Sequence, residues 1–86
     1  VFSSLRALAF YGLNRPDLGE IYLEEFLNEP QITSETLVAV ADRFIANQMY
    51  QQAQKILKFA YTNDTNNQRI LYYFLYKKIK QSHLFF

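Results

Sequence analysis

The sequence predicts an all-α domain of antiparallel helical hairpins stacked on one another. Three observations predict it. Apolar residues recur at spacings of three and four along most of the chain, which is the period of one helix face. The breaks between these stretches are short and carry residues that start or stop helices, Pro16 and Pro30 above all. Finally, the pattern of Leu37, Val40, Ala41 and Phe44 resumes 34 residues later at Leu71, Phe74 and Leu75. A chain of 86 residues makes one domain at most, 1–86.

The first helix is expected over Phe2–Leu13, where Leu5, Leu8, Ala9 and Gly12 carry the period. Gly12 fits a C-terminal stop and Asn14 a turn or cap. Pro16 suits the first turn of the second helix, Pro16–Asn28, and Asp17 and Glu20 suit its positive N-terminal end. Asp17, Glu20, Glu24 and Asn28 form a polar stripe there. Leu18, Ile21, Tyr22, Leu23, Phe26 and Leu27 cover most of the remaining surface, an arc wider than one neighbour needs. Glu25 interrupts that arc and is expected to pair with an arginine or lie at its rim. Pro30 ends this helix.

Thr33 or Ser34 caps a third helix, Ser34–Ala46, with Glu35 in its first turn. The break at Asn47-Gln48 is short, so a fourth helix, Met49–Tyr61, packs antiparallel to the third. Its inner face is Tyr50, Ala53, Ile56, Leu57, Ala60 and Tyr61. Gln51, Gln52, Lys55 and Lys58 are expected in water, with Phe59 exposed among them. Ala41, Ala53 and Ala60 are the small residues that let two helices approach closely. Thr62–Asn67 is rich in turn-forming Asn, Asp and Thr, and a fifth helix is expected over Asn67–Gln81. The tail ends in Leu84-Phe85-Phe86.

Composition narrows the function. Hydrophobic residues make up 50% of the chain and aromatics 17%, more than so short a chain hides alone, so a partner or oligomer is expected. The absence of cysteine rules out a disulfide and fits a reducing compartment. Net charge is +1, too small to point to nucleic acid as the default partner. The charge is unevenly placed, however. Asp17, Glu20, Glu24, Glu25 and Glu29 come early, and Lys55, Lys58, Arg69, Lys77, Lys78 and Lys80 come late. No apolar run approaches the ~20 residues of a membrane span. The chain opens on Val1 without methionine, which points to residues preceding it. Catalysis has little to stand on. His83 is the single histidine, no cysteine joins it, and two glycines make no phosphate-binding loop. No enzyme activity, metal or cofactor is expected.

The middle stretch carries a spacing of its own: Leu37-x2-Val40-Ala41-x2-Phe44, then Ala53-x3-Leu57, then Thr65. It resembles a tetratricopeptide repeat in which Leu37 replaces the tryptophan and Thr65 the proline. With a divergent hairpin before it and the fifth helix after it, the chain amounts to about two and a half repeats, fewer than such stacks normally need. In such repeats the first helix of each hairpin lines a concave groove. That implies groove positions at Phe10 and Leu13, at Val38, Asp42 and Ile45, and at Tyr72, Tyr76 and Ile79. The groove is apolar and aromatic with one carboxylate, suited to an amphipathic helix read at i, i+3/i+4 and i+7.

The segments Ala7–Leu27 and Thr36–Leu57 together are similar to the small tetratricopeptide-like chaperones of type III secretion needle subunits. The features that carry the likeness are Gly12 and Asn14 after an apolar helix, the Phe26-Leu27 pair, a polar linker, and the hairpin with Ala53. The resemblance implies a cytoplasmic bacterial chaperone, acting with a small helical co-chaperone in an obligate heterocomplex. It would hold the C-terminal helix of a needle subunit in its groove and so prevent premature polymerisation. The co-chaperone would sit toward the N-terminal hairpin, on Leu18, Tyr22, Leu23 and Phe26. Two rival readings come from the same residues. One is a peptide-binding repeat fragment of a larger protein. The other is an RNA-binding helical repeat using Tyr72, Tyr73 and Tyr76 with Lys77, Lys78 and Lys80.

Overall fold

The computed structural model describes residues 2–64 and residue 70. Those residues form four helices: α1 (Phe2–Gly12), α2 (Pro16–Leu27), α3 (Ser34–Ala46) and α4 (Tyr50–Asn63). The backbone divides after Ile32 into two compact units. The first contains the pair α1 and α2, the second the pair α3 and α4. No helix among the described residues is long and apolar enough to cross a membrane.

In the first unit, α1 ends through backbone geometry. Asn14 adopts a left-handed conformation at φ 60°. That lets the Asn14 N–H donate to the Tyr11 carbonyl at 3.1 Å and the Arg15 N–H to the Phe10 carbonyl at 2.8 Å. These two bonds satisfy carbonyls that a helix end leaves open. The stop is therefore Asn14. Gly12 remains helical, and a Cβ there would meet nothing within 4 Å. Gly12→Ala should accordingly stabilise the chain by about 0.5–1 kcal/mol, because it removes backbone freedom from the unfolded state at no steric cost. A higher thermal midpoint by circular dichroism is the expected reading, and a lower one would show that this position is crowded.

The chain turns directly into α2 at Pro16, and Arg15 provides no side-chain cap. Asp17 lies 3.3 Å from Arg15, and this hydrogen bond holds its carboxyl below the usual range. Both side chains are exposed, so the pair contributes little to stability. Cross-helix contacts then fix an antiparallel hairpin. The Ser3 hydroxyl donates to Glu25 at 3.0 Å. Phe10 stacks on Tyr22 with ring centres 5.4 Å apart and planes 6° from parallel. The Arg6 guanidinium lies 5.8 Å above the Tyr22 ring centre, close enough for a cation–π attraction. Nearest the turn, the Tyr11 ring rests on Gly19 and its hydroxyl donates to Glu20 at 2.8 Å. Burial, then the bond to Glu20, push the Tyr11 phenol above its ordinary pKa, so it stays protonated and keeps donating.

The buried residues of α1 are Ser3, Ser4 and Ala7. Leu5, Ala9 and Gly12, which carry the period in the sequence, are exposed, and Leu8 is half-buried. Small side chains face inward here, and the large buried residues of the unit, Leu23, Phe26 and Leu27, come from α2. On α2 the expected polar stripe of Asp17, Glu20, Glu24 and Asn28 is exposed. Glu25 lies at the rim, bonded to Ser3 rather than to an arginine.

In the second unit, α3 occupies the span the sequence predicts. The Thr33 side chain accepts the Thr36 N–H at 3.1 Å, a standard N-cap. At the other end Gln48 takes the left-handed conformation, φ 63°. Its N–H donates to the Ile45 carbonyl at 2.9 Å, and the Met49 N–H to the Phe44 carbonyl at 2.9 Å. The same two-bond closure thus ends α1 and α3. The reversal is tight, and the Ser34 hydroxyl donates at 3.3 Å to Asp64, just past the far end of α4. Leu37, Ala41 and Phe44 on α3, and Ala53, Ile56, Leu57 and Ala60 on α4, are buried, as the spacing predicts. Ile70 is helical and buried too. Phe59 is half-buried rather than exposed, because it follows buried Ile56 by three residues and borders the inner face. Gln52 and Lys55 are likewise half-buried, and Tyr50 and Tyr61 lie at the edges of the core.

Candidate docking surface

The inward turn of Ser3, Ser4 and Ala7 has a consequence on the opposite side of α1. Phe2, Leu5, Ala9 and Leu13 follow one another at spacings of three, four and four, so they share one face. All four are exposed, Phe2 at 77%, Leu5 at 39% and Leu13 at 70% of their full surface. Over 11 residues of helical rise the stripe is about 16 Å long.

Ile21 on α2 is also exposed, at 59%. It is framed by Asp17 one turn earlier and by Glu24 and Glu25 one turn later, all exposed. The first 32 residues hold five carboxylates and two arginines, a net charge of −3. Both arginines are engaged within the hairpin, Arg6 over Tyr22 and Arg15 with Asp17. The Arg6–Tyr22 contact marks the seam between the helices. Phe2 and Ala9 lie one turn either side of Arg6 on α1, and Ile21 and Glu25 lie beside Tyr22 on α2. The hairpin thus leaves two outward features, the apolar stripe on the side of α1 away from its buried face and the carboxylates around Ile21 on the side of α2 away from its own.

The α2 positions expected to contact a co-chaperone divide in two. Leu18 and Tyr22 are half-buried, and Tyr22 is held by Phe10 and Arg6. Leu23 and Phe26 are fully buried and offer no surface to another chain. They share a face with Gly19 and Leu27, and that face is core. Ile21 is the large apolar residue that α2 leaves outside.

The described positions expected to line a groove fall on both units. Phe10 is half-buried against Tyr22, whereas Leu13 is open. Val38, Asp42 and Ile45 do share one face of α3, at spacings of four and three. Val38 and Ile45 are half-buried and Asp42 is exposed. Tyr72, Tyr76 and Ile79 lie outside the described residues. Among the described residues, no three of His, Cys, Asp and Glu come together as a metal-holding group.

Complete burial of a large apolar side chain is worth about 1.5–3 kcal/mol, so Phe2, Leu5, Leu13 and Ile21 together offer at most about 6–12 kcal/mol. Association costs of roughly 4–15 kcal/mol oppose it. Burial of these four side chains alone would thus support at most a weak association. No protein-family model matches the chain, and no curated protein or solved structure matches it.

Proposed function

We propose that the chain is a non-catalytic holder of partner helices. In the fuller form of this reading it is the tetratricopeptide-like member of a chaperone pair that keeps a type III secretion needle subunit monomeric in the bacterial cytoplasm. The observation that carries the proposal is the exposed apolar stripe Phe2, Leu5 and Leu13, set against a buried face of small residues on the same helix. A helix that spends its leucines outward and its serines inward is arranged for company. On this reading the guest helix lies across Val38, Asp42 and Ile45, and the repeat pattern would add Tyr72, Tyr76 and Ile79 to its contacts. The co-chaperone takes the first hairpin, through Ile21 and the open edges of Leu18 and Tyr22 rather than through Leu23 and Phe26. Covering the guest's apolar face blocks its polymerisation without any chemistry.

Co-expression with a needle subunit and its co-chaperone tests the reading. The expected result is a soluble complex from a chain that aggregates when produced alone. Ile45→Asp should weaken guest capture at least tenfold, about 1.4 kcal/mol, with helicity by circular dichroism unchanged. A well-behaved lone monomer, or normal capture by Ile45→Asp, would sink it.

A further inference from the structure

We draw no further inference here: the strongest candidate, the exposed apolar stripe of Phe2, Leu5, Ala9 and Leu13 along the outer side of α1, carries no charged group that would select an occupant, and nothing in the structure shows what covers it.

Discussion

Phe44→Ala should lower stability by about 3–5 kcal/mol, the usual cost of emptying a buried aromatic site. Phe44 is among the largest fully buried side chains of the protein. It also stands where α3 reverses, and its carbonyl accepts the N–H groups of Asn47 at 3.1 Å and Met49 at 2.9 Å. The ring therefore anchors the segment whose backbone bonds close the turn into α4. Gln48 needs that support, because a non-glycine residue in the left-handed region carries a local cost. A domain of this length has roughly 4–13 kcal/mol of stability in total, so the loss is a large fraction of it. In a thermal melt the midpoint should fall by on the order of 10–40 °C. Phe44→Leu keeps most of the volume and should lose far less. If Phe44→Ala and Phe44→Leu melt alike, the site collapses around the smaller side chain and the core is looser than its burial implies.

The boundaries of α3 were legible because their signals are local, whereas α4 starts one residue later than expected and continues through Thr62 and Asn63, which were expected in a loop. Thr33 precedes a helical pattern and follows Pro30, and α3 begins and ends as predicted. The inner faces of α3 and α4 were legible because one hairpin with Ala41, Ala53 and Ala60 at its crossing satisfies both periodicities at once. The face of α1 was not legible. Periodicity weighs apolar residues and counts serine as polar, whereas a serine hydroxyl can be satisfied by a neighbour, as Ser3 is by Glu25. The apolar arc on α2 was legible, but which part of it meets the core was not. Which part of an arc faces the core is set by contacts distant in sequence. That is why Leu23 and Phe26 moved from the expected partner surface into the core while Ile21 took the outside. Of the positions expected to line a groove, Val38, Asp42 and Ile45 share one face of α3.

The contact that sets the α1–α2 spacing makes a second prediction, in which the sign of a mutation depends on its neighbour. A Cβ on Gly19 would lie 2.9 Å from Tyr11 Cδ2 and Cε2 and 3.0 Å from Cδ1. These atoms belong to a ring tethered at its far end by the 2.8 Å hydrogen bond to Glu20, so the ring cannot swing aside freely. Gly19→Ala therefore forces the helices apart or breaks that bond, a cost of about 1–3 kcal/mol for overpacking. Helix propensity favours alanine by up to about 1 kcal/mol, which leaves the single variant less stable than the parent. In a Tyr11→Ala background the clash is gone and only the propensity term remains, so the same Gly19→Ala change should raise stability. The coupling between the two sites is then on the order of 1–3 kcal/mol, well above the non-additivity of unrelated positions. Urea melts of the four proteins in the cycle measure it. Additive effects would mean that Tyr11 does not hold its ring against Gly19, and the spacing of the first hairpin would need another cause. Sign reversal would show that the missing side chain at Gly19 is what admits the Tyr11 ring against α2.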